Sequence, residues 1–252
     1  MASVSDIVNY CNQFLAVDLY HDYAPNGLQV EGVGEVTTLI SGVTASQALI
    51  EAAVERGAEA LLVHHGYFWK SESPVIVGMK RRRIEKLLRH GINLIAYHLP
   101  LDGHNSIGNN ARLAQLWGFK VKRRFGDGGN GGLGMIATLP EAITVEALHR
   151  HISDTLGREA LLCHGGDRLV REVAWCSGGA QEWFGAAIAA GADAFISGEI
   201  SEPVFHMARE EGVHYLGAGH HATERYGVEA LGQQLAQQFS LQHTFVDIDN
   251  PI

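Results

Sequence analysis

The sequence has no long apolar segment and no export signal. No stretch of it approaches the roughly 18 continuous apolar residues that a membrane-spanning helix needs. Its first residues, MASVSDIVNYCNQF, lack the basic region and following apolar run that mark a secretory signal. We therefore expect a cytoplasmic protein that has no membrane partner.

Cysteine and positive charge are also scarce. The 3 cysteines, Cys11, Cys163 and Cys176, are far apart and form no C-x-x-C pattern, which argues against a disulfide framework or a thiolate metal site. Lys and Arg number 19 against 28 Asp and Glu, which gives a formal net charge of −9. A broad nucleic-acid-binding surface is not expected, because phosphate binding depends on clustered basic side chains. The one basic run, at 80–83, starts an apparent helix and is interpreted as its solvated face.

What the chain does have is an alternation of apolar strands and amphipathic helices. TTLISGVTA, AEALLVHHG and INLIAYHLPLD are typical of buried strands, and SQALIEAAVERG and RRRIEKLLRHG are typical of helices that end at glycine. Strands of this kind, separated by helices, predict a mostly parallel sheet covered on both faces. With 252 residues, of which 46% are hydrophobic, the chain can form one large domain or two modest lobes.

The second half of the chain repeats this scheme. VAWCSGG, QEWFGAAIAAG and ADAFISGE follow the pattern of LISGVTA, SQALIEAAVERG and AEALLVHHG, and HGINLIAYH aligns with EGVHYLGAG. The glycine-rich stretch RRFGDGGN is interpreted as a loop or a linker. We therefore predict an α/β protein of two similar lobes, 1–122 and 123–252, with mostly parallel sheets flanked by helices. In this division the C-terminal helix and strand can also pack back on the first lobe.

Histidine is abundant, with 14 copies, and several of them occur near acids at predicted strand ends. His64 and His65 end one strand, Asp102 follows a second, and His220 and Glu224 follow the matching strand of the second half. Carboxyl ends of parallel strands meet at one edge of a sheet, where ligands bind. Imidazole and carboxylate are ligands for Zn, Fe, Mn or Co. The pattern predicts that these five side chains hold two divalent metal ions between the lobes and use them to activate water.

Each of these clusters also has a structural explanation. A histidine pair alone is a weak signal, Asp102 alone can cap a helix, and Glu224 after His220 and His221 can stabilise a helix N-terminus. Three such clusters at equivalent strand ends favour metal binding over the separate explanations. His221 is treated as a neighbour of the ligands.

Several nearby residues keep two interpretations. His98 is a candidate catalytic acid or base, since histidine titrates near neutral pH, or else a packing histidine. His104 is a weaker candidate for a pocket residue. The aromatic residues 67–69 are either a stacking wall for a base or part of the core. The segment 177–179 offers backbone N–H groups that can hold a phosphate.

Sequence motifs along the whole chain resemble one known family. HHG-x-F-W, YH-x-x-LD, IGNNARLA and GAGHHATERYGVEAL are similar to motifs of the GTP cyclohydrolase I type 2 family, whose members are also called YbgI-like or NGG-one-interacting-factor-three-like proteins. NGLQVEG and ISGEIS resemble that family too. Many members have Pro after the histidine pair and Asn before LD, where this chain has Gly66 and Pro100. Neither difference removes a ligand.

The resemblance implies a specific assembly and activity. It implies a two-lobed α/β subunit in a toroidal homohexamer, with two metal ions per subunit held by the five residues named above. It further implies a hydrolase acting on a nucleotide or related heterocycle, in which water attacks C8 of guanine, the ring opens, formate is released and His98 moves protons. The alternatives are a non-catalytic metal-binding protein, such as a metal chaperone or regulatory scaffold, and hydrolysis of peptide or phosphoester bonds.

Overall fold

The computed structural model describes residues 1–129 and 131–252, and the chain divides into two compact units. The first unit contains Met1–Leu101 and Gly227–Asp249, and the second contains Asp102–Tyr226 and Asn250–Ile252. Within the described ranges, no helix combines the length and the apolar character needed to cross a membrane.

Strands and helices alternate through most of the chain. The strands are β1 (Ala2–Ser3), β2 (Gly27–Val30), β3 (Glu35–Val36), β4 (Thr38–Thr44), β5 (Ala60–His65), β6 (Asn93–Ala96), β7 (Val121–Phe125), β8 (Gly134–Ile143), β9 (Leu161–Cys163), β10 (Val170–Cys176), β11 (Ala194–Ser197), β12 (His214–Gly217) and β13 (Gln242–Phe245). The α-helices are α1 (Val4–Phe14), α2 (Gln47–Glu55), α3 (Gly78–His90), α4 (Leu99–Gly103), α5 (Asn109–Trp117), α6 (Val145–Leu156), α7 (Phe184–Ala189), α8 (Glu202–Glu211) and α9 (His220–Phe239). The predicted α/β class is confirmed.

The first unit is built on a sheet of five strands in the order β13-β4-β5-β6-β2. Strands β13, β4, β5 and β6 pair in parallel, and β2 pairs antiparallel with β6. Helices α2 and α3 cover one face, where Leu49, Ile50 and Leu87 pack with Leu61 and Val63 of β5. Burying an aliphatic side chain of this size contributes about 1.5–3 kcal/mol. This packing makes β5 a rigid central strand.

The second unit contains a sheet of six strands in the order β7-β8-β10-β11-β12-β9. Its centre, β10, β11 and β12, is parallel, whereas the outer pairings are antiparallel. The prediction of mostly parallel pairing therefore applies to the first sheet and to the centre of the second. Strands β7 and β8 follow each other without an intervening α-helix, and such short connections favour antiparallel pairing. Trp117 and Trp175 pack with Leu148 and Ile152 on one face.

The internal repeat is visible in equivalent hydrogen bonds. Oε2 of Glu59 accepts from the backbone N–H groups of Thr37 and Thr38, at 3.2 and 2.7 Å. Oδ2 of Asp193 accepts from those of Arg171 and Glu172, at 2.9 and 2.8 Å. Each acid therefore precedes the middle parallel strand of its unit and ties it to the neighbouring strand.

The division of the chain differs from the predicted boundary after residue 122. Helix α5 lies in the second unit because Leu113 and Trp117 pack in the same core as Trp175. Strand β13 lies in the first unit because it pairs with β4. The first three residues of the glycine-rich stretch, 123–125, belong to β7, and 126–129 lie between β7 and β8 of one sheet, so the stretch is a loop and not a linker between the units.

Candidate functional site

Strand β5 ends in the two histidines that the sequence predicts as metal ligands. The four residues before them are fully buried, His64 is 1% exposed, and His65 is partly exposed. The ring centroids of His64 and His65 lie 4.6 Å apart. One nitrogen from each of His64, His65 and His98 lies within 4.8 Å of the others, an arrangement that can hold a metal ion.

A backbone carbonyl fixes the tautomer of His64. Nδ1 of His64 lies 2.9 Å from the carbonyl oxygen of Tyr97. A carbonyl oxygen only accepts, so Nδ1 carries the proton and Nε2 has the lone pair that a metal ion needs. Metal-binding histidines in proteins usually have such a partner on the other nitrogen. Oγ1 of Thr44 lies 3.3 Å from Nδ1 of His65 and is a comparable partner for that ring.

His98 follows β6 and is held by a loop from an earlier part of the chain. Nδ1 of His98 lies 2.9 Å from Oδ1 of Asp22. The Asp22 carboxylate also accepts hydrogen bonds from three backbone N–H groups and one side-chain amide, those of Tyr23, Ala24, Leu99 and Asn26. Burial opposes the charge of Asp22, but the hydrogen bond and charge of His98, together with the other donors, lower the pKa of Asp22 to about 2. The ionised carboxylate can only accept, so it fixes a proton on Nδ1 of His98.

Aromatic rings surround His98 in the first unit. Trp69 and Tyr23 lie edge-to-face against it, with ring centroids at 4.9 and 5.1 Å. Tyr67 is buried and donates its hydroxyl proton to the carbonyl oxygen of Ala45, so it belongs to the core. Of the aromatic residues that the sequence offers as a stacking wall, Trp69 is the one beside His98. Tyr23, which is 51% exposed, adds a ring that sequence reasoning did not consider.

In the second unit, Asp102 lies on the short helix α4 and not in a loop. The side chain is buried, and its Oδ1 accepts from Nδ2 of Asn109 at 2.8 Å and from Oγ of Ser177 at 3.1 Å. Two donors on one oxygen fix the plane of the carboxylate, which is the way that outer hydrogen bonds orient metal ligands.

Helix α9 begins at His220, and Glu224 lies one turn later on the same face, as predicted. Nε2 of His220 lies 3.0 Å from Oε2 of Glu224. Two atoms bound to one ion at about 2.0–2.1 Å are roughly 2.9–3.4 Å apart, so this spacing suits a shared ion. Nδ1 of His220 lies 2.6 Å from Oε1 of Glu199. Burial opposes protonation of the imidazole, but the hydrogen bonds and charges of Glu224 and Glu199 raise the pKa of His220 to about 9.

Two buried carboxylates lie close together in the second unit. Oxygen atoms of Asp102 and Glu224 are within 4.8 Å of each other, and the two residues are 5% and 3% exposed. Burial, followed by the charges of these two acids, raises the pKa of the Cys176 thiol well above its usual value. Buried carboxylates are normally paired or bound to a cation. The donor set of this unit therefore fits a divalent ion.

Gly178 leaves the space that the ligand pair occupies. It has a φ of +65°, and a Cβ there would lie 2.0 Å from Oε1 of Glu224 and 3.2 Å from Nε2 of His220. The backbone N–H groups of Gly178 and Ser177 donate to side chains of the same unit, at 3.0 and 2.8 Å. These two N–H groups are already engaged by side chains and are not available to a phosphate, and Gly178 packs against the candidate ligands His220 and Glu224.

His104 and His221 take part in local structure. Nδ1 of His104 accepts from the backbone N–H of Ile107 at 3.3 Å, within a turn. His221 is buried, and its backbone N–H donates to the carbonyl oxygen of Ile252 at 2.9 Å. Among the described residues, neither belongs to a group of possible metal ligands. The ligand roles of the five residues and the catalytic role of His98 stay predictions.

Sequence reasoning missed the residues that support the candidate ligands. Asp22 is 76 residues from His98 in the chain, and Ser177 is 75 residues from Asp102. A local pattern does not reveal contacts of this separation. The available signals were indirect: Asp22 comes shortly before the Pro-Asn-Gly turn, and Glu199 belongs to the ISGEIS motif.

Comparison with known sequences gives a match along nearly the whole chain. Residues 2–251 match the family described as Duf34/NIF3 (NGG1p interacting factor 3). A protein of Pseudomonas aeruginosa named GTP cyclohydrolase 1 type 2 homolog is 49% identical over 249 residues, which cover 99% of this chain and 98% of the relative. A protein of Vibrio cholerae with the same name is 51% identical over 247 residues, covering 96% of each chain.

Solved structures give the same picture. The structure of protein ybgI, described as of unknown function, is 47% identical, has a TM-score of 0.95, and matches over 100% of both chains. A protein of Thermus thermophilus is 34% identical, has a TM-score of 0.88, and also matches over 100% of both chains. The fold described above is therefore shared with these proteins over its full length.

Proposed function

The chain belongs to the Duf34/NIF3 (NGG1p interacting factor 3) family, and from this premise we propose that it binds two divalent metal ions and uses them in hydrolysis. The substrate class that we propose is a nucleotide or related heterocycle, as the name of the relatives, GTP cyclohydrolase 1 type 2 homolog, suggests. The proposed ligands are the five residues predicted from the sequence: His64, His65, Asp102, His220 and Glu224. Zn, Fe and Mn all suit such ligands.

The observation that carries the proposal is the histidine group of the first unit. Nitrogens of His64, His65 and His98 lie within 4.8 Å of one another. Of these three imidazoles, His64 and His65 are the proposed ligands, since neutral imidazole suits borderline divalent ions, and His98 stays beside them as the proton-transfer group. The carbonyl oxygen of Tyr97 on Nδ1 of His64 leaves Nε2 as the coordinating atom.

The second unit supports the proposal with acidic ligands. His220 and Glu224 hold their ligand atoms at a spacing that suits a shared ion, and Asp102 adds a buried carboxylate oriented by two donors. Glu199 holds Nδ1 of His220, so an ion bound at Nε2 would take the place of the proton that Nε2 shares with Glu224 in the metal-free protein. Whether the ligands of both units serve one dinuclear centre stays a prediction from the sequence.

The metal ions would lower the pKa of water and polarise the bond that it attacks. The residues of the chain have separate tasks in this scheme. His98, with Nδ1 held by Asp22, accepts or returns a proton at Nε2. Trp69 and Tyr23 offer ring faces and edges to a planar heterocycle near His98.

The assembly and location that we propose follow the resemblance. A toroidal homohexamer and a cytoplasmic location are expected for the family, and both are proposals for this chain. The molar mass of the protein in solution tests the first directly, since one chain has a mass of 27.3 kDa.

Metal content and product analysis of the purified full-length chain test the function. We expect about two ions per chain after reloading, and conversion of GTP with release of formate. The His64→Ala variant should lose both metal and turnover. A matched control, His206→Ala, changes an exposed histidine on α8 and should lose neither.

The outcomes separate the candidates. Full metal occupancy without turnover of any nucleotide would contradict the hydrolase and support a non-catalytic metal-binding protein. Release of product from a peptide or a phosphoester, with none from a nucleotide, would contradict the proposed substrate class and keep the hydrolase. Less than one ion per chain after reloading would contradict the metal site itself.

A further inference from the structure

We propose that Asp22 is a positioning residue that fixes the tautomer and orientation of His98, so that Nε2 is the nitrogen that His98 presents to His64 and His65. This inference deepens the proposed function and rests on it, since it concerns the histidine that would carry the proton. No sequence motif indicated this role for Asp22.

The two oxygen atoms of the Asp22 carboxylate have different hydrogen-bond partners. Oδ1 accepts from Nδ1 of His98 at 2.9 Å and from the next two backbone N–H groups of its own loop. Oδ2 accepts from Nδ2 of Asn26 at 3.0 Å and from the backbone N–H of Leu99 at 2.9 Å. One oxygen therefore holds the imidazole, and the other joins the loop to the first residue of helix α4.

The tautomer follows from this arrangement in either charge state of His98. An ionised carboxylate has no proton to donate, so a hydrogen bond to Nδ1 requires a proton on Nδ1. Neutral His98 then has its lone pair on Nε2.

The surroundings of His98 prevent the ring from turning. The residue is 7% exposed, and its backbone N–H donates to Oδ1 of Asn26 at 2.7 Å. Trp69 and Tyr23 lie against the ring with interplanar angles of 80° and 71°. A half-turn of the imidazole about its Cβ–Cγ bond would break the bond between Nδ1 and Asp22. Nε2 therefore remains the nitrogen available to the histidine group.

A purely structural role for Asp22 is the competing explanation. In that case Asp22 would only order the loop at 22–26, and the tautomer of His98 would follow from the packing of its ring. The two explanations differ in what happens when the loop is loosened while the carboxylate stays. Asn26→Ala removes the bond between the loop and the backbone of His98 but keeps Asp22.

The test is two-bond ¹H–¹⁵N correlation NMR of the full-length protein labelled at histidine, both free of metal and loaded with Zn²⁺. The His98 signals are assigned by their loss in His98→Gln. In the wild type we expect a proton on Nδ1 of His98. In Asp22→Asn, the N–H group of the new amide faces the former partners of the carboxylate, which are all donors. We therefore expect the ¹⁵N shifts of His98 to move toward those of the Nε2–H tautomer. Asp18→Asn, an exposed acid in the same segment, should leave them unchanged.

Each outcome decides the matter. Retention of the Nδ1–H signature in Asn26→Ala, together with its loss in folded Asp22→Asn, supports the proposal. An unprotonated Nδ1 in the wild type overturns it even if Asp22→Asn does not fold. Loss of the signature in Asn26→Ala overturns it in favour of loop order. These signals do not depend on turnover, so an inactive protein would contradict the hydrolase and leave this result intact. If turnover is found, Asp22→Asn should lower kcat about 10- to 100-fold with a smaller effect on KM.

Discussion

The parallel strands of the two units have the same register, which permits a comparison position by position. In the first unit, Leu39, Ala60 and Asn93 are neighbours across β4, β5 and β6; in the second, Val173, Ala194 and His214 are neighbours across β10, β11 and β12. Counting along the strands from these rows, Glu199 takes the position of His65, and His220 takes the position of Leu99.

The two units differ at the end of the middle strand. In the first unit this strand ends in the imidazoles of His64 and His65, and His98 follows the third strand. In the second unit the middle strand is followed by Glu199, which holds the imidazole of His220 at the end of the third strand. Equivalent backbone positions therefore carry His65, a candidate ligand, in the first unit and Glu199, the acid that holds His220, in the second. A backbone repeat alone does not assign chemical roles.

The carboxylate–histidine pairs of the two units also differ in burial. The side chains of His98 and Asp22 are 9% and 4% exposed, whereas those of His220 and Glu199 are 28% and 37% exposed. Water screens the second pair more strongly than the first. We therefore expect substitutions at Asp22 to affect folding more than substitutions at Glu199.

The largest effect is expected for Asp22→Asn, with a loss of about 2–4 kcal/mol in the free energy of unfolding at pH 7, because the amide leaves buried donors without an acceptor. The pKa of Asp22 is about 2 in the folded protein, below its ordinary value of 3.8. The wild-type carboxylate therefore contributes stability above about pH 4 that is lost as the pH falls through 2. Urea unfolding in a chelator from pH 7 to pH 2 should show the two proteins converging. A constant difference in the free energy of unfolding between the two proteins across this pH range would contradict the lowered pKa of Asp22.

The next prediction compares Gly178, which packs against the candidate ligands His220 and Glu224, with Gly157, which ends helix α6. Gly178 and Gly157 have φ of +65° and +70°, but only at Gly178 would a Cβ meet other atoms within 4 Å. Alanine at either position should cost about 1–2 kcal/mol of stability. Gly178→Ala should in addition lower metal affinity 10- to 100-fold, because Glu224 must move. Competition with a chromogenic chelator measures the metal affinity of both variants. Equal affinities of Gly178→Ala and Gly157→Ala would contradict the placement of Gly178 against the candidate ligands.

The repeat itself is tested by Glu59→Gln and Asp193→Asn. Both acids accept two backbone N–H bonds from the neighbouring strand, so each variant should lose about 1–2 kcal/mol. Glu210→Gln, an exposed acid on α8, is the control and should be neutral. A loss at one site without a loss at the other would break the equivalence of the two units.

The smallest effect on folding is expected for Glu199→Gln. Its side chain is 37% exposed, so the free energy of unfolding of the metal-free protein should fall by less than about 1 kcal/mol. Denaturant unfolding beside Asp22→Asn gives the comparison. A loss as large as that of Asp22→Asn would show that exposure does not distinguish the two pairs.

The α/β class and the placement of His64, His65 and Glu224 were accessible from the sequence because they depend on local periodicity. An apolar run ends at the histidine pair, and the spacing of four places Glu224 beside His220 on a helix. Asp102 was predicted as a ligand and stays a prediction, and its helix α4 was not predicted, since five residues give too little periodicity.

The supporting residues and the unit boundary could not be predicted from the sequence, for a different reason. The bond of Asp22 to His98 and the pairing of β13 with β4 join segments far apart in the chain, and of these only the return of the C-terminal helix and strand to the first lobe was anticipated from the sequence. Such contacts depend on the complete tertiary structure. The glycine-rich stretch looked like a linker because composition alone does not distinguish a linker from a connection between two strands of one sheet.

The pairing of β13 with β4 has a consequence for the order in which the chain folds during synthesis. Asp102–Tyr226, which is all of the second unit except Asn250–Ile252, is one continuous stretch and has been synthesised when residue 226 is added. The first unit still lacks Gly227–Asp249 at that moment, and one edge of β4 has no strand to pair with. Pairings between distant segments form slowly, and an open strand edge invites wrong partners. The pairing along this edge of β4, the strand next to the one that carries His64 and His65, can therefore form only after Gly227–Asp249 has been synthesised.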